Sequence, residues 1–269
     1  MLSDSHLHSR FSGDSQAVPE EVVQACIKAG MKHMCITDHQ DLDFPEVGPF
    51  NKDSFVQDQP AYFACWEELR EKYKGSIDIR IGLECGIEEH TAEEQLKRTK
   101  DVPYDFIINS RHVVSREIIK LDQYFSVYGT REAMDRYFEK VYGNLTLFPN
   151  FDVAGHLDFL LRFAADKTEG AYSYHADRYE AILKKVIELG KGIEINTAGY
   201  RKGMNGPNPC VEALKRYKEL GGEIITVGSD AHTPSDVASR FDVAEALLKE
   251  IGFKYYCVFK ERKPEFIKL

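Results

Sequence analysis

The chain opens Met1-Leu-Ser-Asp-Ser-His-Leu-His8. In an extended strand residues i and i+2 share a face, so a strand over residues 2–7 delivers His6 and His8 side by side. Two imidazoles on one face can grip one metal ion, histidine being the commonest nitrogen ligand for such ions. The glycine-flanked polar turn Ser12-Gly13-Asp14 follows, and this combination is a typical opening for a metal-dependent hydrolase. Two histidines in three residues also arise on solvated strands, so the reading turns on what the other strands carry.

Working outward, Pro19 begins a helix whose stripe Val22, Val23, Cys26, Ile27 and Ala29 stops at Gly30. A short apolar strand over 31–37 ends at Asp38-His39, and an irregular stretch containing Pro45, Gly48 and Pro49 leads to a helix over 61–73. The order then repeats. A strand over 77–83 ends at Glu84 and precedes a helix over 91–100; a strand over 105–108 runs into Asn109-Ser-Arg-His112 and precedes a helix over 130–142. Strands over 151–154, 192–195 and 223–227 end at Gly155-His156, Asn196 and Gly228-Ser-Asp230-Ala-His232, with helices over 174–189, 211–220 and up to Ile251 after them. A β-rich closing strand is expected over 255–259. Strand followed by helix, seven times, argues for a parallel α/β sheet, either doubly wound or closed into a barrel. Both architectures place function at the carboxyl ends of the strands. With no linker or low-complexity segment, residues 1–269 read as a single metal-dependent hydrolase domain.

Those carboxyl ends carry His6 and His8, His39, Glu84, His112, His156, and the pair Asp230 and His232: six of seven strands end in a metal-ligand side chain. Any one of these histidines is as readily a hydrogen-bonded surface residue; their shared placement is the argument. His33, inside a strand, and His90 and His175, in or beside helices, lack it and are assigned structural roles. Six histidines with Asp14, Glu84 and Asp230 are too many for one tetrahedral ion and suit two or three divalent ions sharing a bridging carboxylate. Three such ions, three carboxylates and a bridging hydroxide leave about +2, which suits a phosphate dianion.

Composition narrows the partners. Lys plus Arg number 35 against 44 Asp plus Glu, a net charge of −9, which argues against sequence-independent nucleic-acid binding. The six cysteines are scattered without a C-x-x-C pair, so they read as reduced thiols of a cytoplasmic protein. Neither a signal peptide nor an 18-residue apolar run is evident, so no membrane partner is expected. Oligomeric state leaves no mark in the sequence.

Taken together, Asp4-Ser-His6-Leu-His8-Ser, Ser12-Gly-Asp14, Thr37-Asp38-His39, Gly82-Leu-Glu84, Ser110-Arg-His112, Gly155-His156-Leu-Asp158, Glu194-Ile-Asn196-Thr-Ala-Gly-Tyr-Arg201-Lys and Gly228-Ser-Asp230-Ala-His232 resemble the polymerase and histidinol phosphatase (PHP) family, within it the histidinol-phosphate phosphatase branch. The resemblance implies a distorted (β/α)7 barrel holding zinc, manganese or iron. It implies a first metal on His6, His8, Glu84 and Asp230, a second on Glu84, His112 and His156, and a third on Asp14, His39 and His232. Many relatives have histidine where this chain has Asp14, and an oxygen ligand there biases the third site towards harder ions.

The reaction so implied is hydrolysis of L-histidinol phosphate to L-histidinol and phosphate in histidine biosynthesis, by a hydroxide bridging two metals, with Asp230 and His232 as the catalytic side chains. Arg201 and Arg162, then Arg10 and Arg111, are the candidate phosphate clamps. The loop Asp41-Leu-Asp43-Phe44-Pro-Glu46 offers acids and an aromatic face for an ammonium and an imidazole. Three other readings stay open. An amidohydrolase also starts with H-x-H but needs an eighth barrel strand and a lysine at the end of the fourth. A PHP-type nuclease needs a basic, aromatic-lined track. A non-catalytic metal-binding protein needs neither open coordination positions nor arginines.

Overall fold

The computed structural model describes residues 1–269. Seven strand positions form one parallel sheet that curls into a barrel, in the order β1 (Ser3–Leu7), β2 (His33–Ile36), β4 (Asp78–Gly86), β5 (Phe106–Ser110), β6 (Val153–Ala154), β7 (Gly192–Asn196) and β8 (Ile225–Gly228). The remaining strand, β3 (His39–Asp41), continues the line of β2: β2 pairs with β4 as far as Ile36↔Ile81, and β3 resumes at His39↔Glu84. Thr37-Asp38 interrupts the line because its polar groups are used elsewhere. The Asp38 carboxylate accepts from the Ser9 amide at 2.6 Å, the Ser9 hydroxyl at 2.8 Å and the Ser12 hydroxyl at 2.7 Å, which fixes the turn after β1. Every residue of β1, β5 and β7 is buried; β1, Ser-Asp-Ser-His-Leu, is so although four of its five residues are polar.

The barrel closes between its first and last strands through few bonds. The Asp230 amide donates to the His6 carbonyl at 2.8 Å and the His8 amide to the Ala231 carbonyl at 2.9 Å. Asp230 takes a left-handed conformation there (φ 54°), one that Asp tolerates better than bulkier residues.

Helices α1 (Pro19–Lys28), α2 (Gln59–Lys72), α3 (Ala92–Thr99), α4 (Leu121–Leu147), α5 (Tyr172–Glu188), α6 (Ala198–Arg201), α7 (Val211–Glu219) and α8 (Phe241–Ile251) fill the connections. Proline at the first turn and acids at 20 and 21 start α1; its last turn carries Lys28, matching the helix dipole at both ends. In α2, Tyr62 and Trp66 lie fully buried, and the Tyr62 hydroxyl donates to the Gly82 carbonyl at 3.0 Å. Helix α4 is two helical segments that meet at the non-helical Gly129 (φ 68°); the second begins where the 130–142 helix is expected and runs on to Leu147.

The strand expected over 255–259 does not join the barrel. It is β9 (Tyr255–Lys260), paired antiparallel with β10 (Lys263–Lys268), and the hairpin plugs the amino-terminal end of the barrel. Phe259 stacks on Phe106 at 5.0 Å among Cys35, Ile108, Val153 and Cys257. At the hairpin turn, Arg262 Nε donates to Asp152 Oδ2 at 2.6 Å. Function is thereby confined to the opposite, carboxyl-terminal rim.

Candidate metal centre

At that rim the strands deliver donor atoms to one point. His6 Nε2 lies 3.1 Å from His8 Nε2 and 3.2 Å from Glu84 Oε2; His8 Nε2 lies 3.5 Å from both Glu84 Oε2 and Asp230 Oδ1. A tetrahedral ion with bonds of about 2.1 Å needs donors about 3.4 Å apart, close to the separations among His6, His8 and Glu84 and between His8 and Asp230; His6 Nε2 and Asp230 Oδ1 are wider apart, at 3.9 Å. The other Glu84 oxygen, Oε1, lies 2.8 Å from His156 Nε2 and 3.1 Å from His112 Nε2. Asp14 Oδ2 lies 3.1 Å from His232 Nε2 and 3.7 Å from His39 Nε2. The three expected sets therefore sit together, and they touch: the His8 ring lies 4.4 Å from that of His39 and 4.1 Å from that of His232. His33, His90 and His175 lie outside the cluster, paired with Asp78, Asp43 and Asp135 respectively.

Neighbouring groups aim the rings. His6 Nδ1 bonds Glu194 Oε2 at 2.8 Å, and His112 Nδ1 bonds Asp41 Oδ2 at 2.6 Å. His8 Nδ1 meets the Ser12 oxygen at 2.9 Å; that hydroxyl donates to Asp38, so it accepts from the ring. In each case the proton resides on Nδ1 and the Nε2 lone pair faces the centre, the arrangement by which outer carboxylates and hydroxyls orient metal-binding histidines. Asp41 and Glu194 escaped sequence reasoning as aiming groups. Glu194 lies within β7, two residues before its end at Asn196, and Asp41 lies on β3, just before the pattern-breaking Pro45, Gly48 and Pro49.

The electrostatics call for cations. Burial raises the Glu84 pKa, but His6, His112 and His39 outweigh it and hold the carboxyl well below its ordinary range. Asp230 is likewise held low, against burial, by His6, His8 and Arg162. Burial lowers His39, yet Glu84 and Asp14 lift it to about 9; His6 is raised well above its usual value by Glu194, Glu84 and Asp230 against the same opposition. His8, buried and beside His232 and His39, falls to about 3. Glu84 Oε2 is buried without a hydrogen bond, as is His39 Nδ1 3.1 Å away. An unpaired buried carboxylate oxygen ringed by imidazole nitrogens is poorly solvated by the protein alone and well suited to divalent ions.

The cluster forms the floor of a cavity of about 1070 Å³ walled by Phe44, Phe50, Phe55, Phe159 and Phe163 and by Arg162 and Arg201. Arg201 Nη2 donates to the Ser229 carbonyl at 2.7 Å, and its Nη1 is buried with no partner. Arg162 is buried and donates to Asp230 Oδ2 at 3.0 Å. The other two candidate clamps are corrected. Arg10 is exposed on the turn after β1 and lies outside the cavity. Arg111 is buried but turned away, its guanidinium held by the carbonyls of Val113 (2.6 Å) and Ile87 (2.9 Å) and by Glu89. In the 41–46 loop, Asp41, Phe44 and Pro45 line the cavity, whereas Asp43 pairs with His90 and Arg116 at its outer edge.

A parallel barrel with a buried, histidine-rich, multi-carboxylate centre at its carboxyl rim defines a metal-dependent hydrolase. The PHP domain model matches residues 4–198, and this chain belongs to the PHP domain family. Among its relatives, the histidinol-phosphatase of Lactococcus lactis is 29% identical over 268 residues, covering 97% of this chain and 95% of that protein. The probable histidinol-phosphatase of Deinococcus radiodurans is 27% identical over 266 residues, covering 98% of each. The crystal structure of the Lactococcus lactis histidinol phosphate phosphatase, complexed with zinc, L-histidinol and phosphate, superposes with a TM-score of 0.86 at 28% identity over 98% of each chain. A putative histidinol phosphatase from Listeria monocytogenes, 21% identical with a TM-score of 0.77 and covering 90% of this chain and 99% of its own, shares the fold.

Proposed function

We propose that this chain is a metal-dependent phosphomonoesterase that hydrolyses L-histidinol phosphate to L-histidinol and phosphate, and that two or three divalent ions occupy the rim. One observation carries the reading: the unpartnered Glu84 oxygen among imidazole nitrogens shares a cavity with Arg201, whose Nη1 has no acceptor of its own. A metal centre beside a guanidinium with one unpartnered nitrogen fits a phosphate ester better than an amide, which has no dianion to neutralise. The relative that binds zinc, L-histidinol and phosphate matches along nearly the whole chain.

His6, His8, Glu84 and Asp230 would hold the first ion, Glu84, His112 and His156 the second, and Asp14, His39 and His232 the third. Bound divalent ions lower the pKa of water to about 7 and neutralise phosphoryl charge. Arg201 Nη1 and the remaining N–H groups of Arg162 hold non-bridging phosphate oxygens and align the ester for in-line attack. Asp230 Oδ2 already accepts from Arg162 and Asn196, so Oδ1, the oxygen that would face the first ion, is also the one an attacking water would meet. With its Nε2 turned to Asp14, His232 would steady Asp230 through Nδ1, which lies 3.2 Å from the Asp230 carbonyl and 3.5 Å from Oδ1. Phe44 and Phe159 offer faces for the imidazole, and Asp122 an acid for the ammonium.

We read residues 1–269 as one domain because a single apolar cluster runs from Leu7 to Val258. No helix is long and apolar enough to cross a membrane. A cytoplasmic setting, and no role in nucleic-acid binding, are inferred from the unpaired cysteines and the net charge of −9. Phosphate release should be followed after loading with manganese, zinc or iron, across histidinol phosphate, a phosphodiester and an amide. Faster turnover of either rival substrate would overturn the proposal. Asp230→Asn should fold and lose nearly all kcat; near-normal kcat at full metal content would remove Asp230 from the chemistry.

A further inference from the structure

Asp158, in the Gly155-His156-Leu157-Asp158 motif, is absorbed neither by the metal cluster nor by the cavity wall. Asp158 is fully buried behind the site. Its Oδ2 accepts from the Tyr179 hydroxyl at 2.9 Å and from the Cys210 amide at 3.0 Å, and its Oδ1 accepts from Asn208 Nδ2 at 2.5 Å. Asn208, also fully buried, presents its Oδ1 to Arg162 Nε at 2.8 Å. Arg162 Nη2 donates to Asn196 Oδ1 at 3.0 Å and Nη1 to Asp230 Oδ2 at 3.0 Å.

The direction of this chain of bonds is forced at both ends. A guanidinium only donates, so Asn208 must turn its oxygen to Arg162 and its NH2 away. The Cys210 amide also only donates, so whatever stands at 158 must turn an acceptor to it. An aspartate satisfies Cys210 and Asn208 together because both of its oxygens accept. Three of the five guanidinium N–H groups are thereby committed to protein acceptors, and one remains on each terminal nitrogen.

We infer that Asp158 and Asn208 are positioning residues that set the hydrogen-bond polarity behind Arg162 and so aim its two free N–H groups at the substrate phosphate. The inference rests on the reading of Arg162 as a phosphate clamp. Asp158→Asn keeps size and shape, but Cys210 holds its oxygen, so its NH2 faces Asn208. Asn208 must then flip and set its own NH2 against Arg162 Nε, donor against donor. Asn208→Asp alone sets two carboxylates face to face. The double variant Asp158→Asn/Asn208→Asp restores an unbroken order, NH2 of 158 to carboxylate of 208 to Arg162.

The test measures kcat and KM for histidinol phosphate, the competitive inhibition constant of inorganic phosphate, metal content and thermal stability for the four variants Asp158→Asn, Asn208→Asp, their double, and Arg162→Ala. Each polarity single should weaken phosphate inhibition and raise KM by about tenfold or more, with metal content unchanged. The double should return both to within about threefold of the parent. A double no better than the worse single would reduce the pair to packing and overturn the inference. Unchanged phosphate inhibition in Arg162→Ala would instead remove the clamp reading itself. If Asp158→Asn does not fold, Asn208→Ala, which keeps the backbone pairing of 208 with Asn196, should show the same weakening, and phosphate inhibition equal to the parent's would overturn the inference.

Discussion

Glu84 shows how much one side chain can be asked to do: its two oxygens face five of the cluster's histidines within 3.5 Å, and it has no lysine or arginine partner. The residues behind the ligands matter for the same reason. Asp41→Asn replaces the carboxylate that holds the His112 proton on Nδ1 by a neutral amide and should cost about 10–100-fold in metal affinity or activity, read by metal titration beside kcat. The arginines separate by position. Arg201→Ala should raise KM by about 10–100-fold, the worth of a charge-assisted hydrogen bond to phosphate, while Arg10→Ala should leave both kinetic constants within about twofold.

Among the elements, the seam between β1 and β8 joins structure to site most directly, because the residues that close the barrel also carry ligands. Gly228 lies there with no room for a side chain: an added Cβ would stand 2.3 Å from His6 Cβ and 3.1 Å from Glu194 Oε2. Gly228→Ala should therefore cost about 1–3 kcal/mol by overpacking and also weaken metal binding by displacing His6, measured by denaturant unfolding and metal titration together. The hairpin at the other end gives the contrasting case. Phe259→Ala empties the plug against Phe106 and should cost about 3–5 kcal/mol of stability, while the protein still folded at 25 °C keeps its kcat and KM, since no hairpin residue lines the cavity.

For the whole molecule, the proposed ligands come from β1, β3, β4 and the turn after β8, so ions bound to them should hold the barrel closed. An ion at about 1,000 times its Kd adds about 4 kcal/mol to stability. Chelation should lower Tm by roughly 10 °C in a scanning measurement; an unchanged Tm would mean the ions do not bridge the seam. Metal binding also competes with protons. His39, lifted to about 9 by Glu84 and Asp14 against the pull of burial, is protonated near neutrality in the metal-free chain and must lose that proton to ligate. Affinity should then rise with pH up to about 9, by about tenfold per unit for each proton released, and calorimetry in buffers of different ionisation heat would count the protons. The same shift stabilises the metal-free fold: a raised histidine pKa contributes fully below the unfolded value near 6.5, and that contribution is lost as pH rises through about 9.

Periodicity and punctuation in the chain were enough for the strand-then-helix order and the parallel sheet, because these depend on alternation and on neighbours a few residues away. They put His39, Glu84, His112, His156 and Asp230 near the carboxyl rim but not at exact strand ends: Glu84 stands inside β4, His39 opens β3 and Asp230 follows β8. The pairing of His6 with His8 was legible for the same reason: i and i+2 share a face whatever the rest of the protein does. Other features are set by contacts distant in sequence. Arg10 and Arg111 look like Arg162 and Arg201 in sequence; only packing shows that one faces water and another is tied to carbonyls of its neighbours, while two reach the cavity. Glu194 and Asp41 became aiming groups because the barrel brings them against rings 188 and 71 residues away. Local sequence determined which donors stand at which strand ends; closure of the sheet decided which of them meet, because convergence on one rim is a property of the barrel and of no single segment.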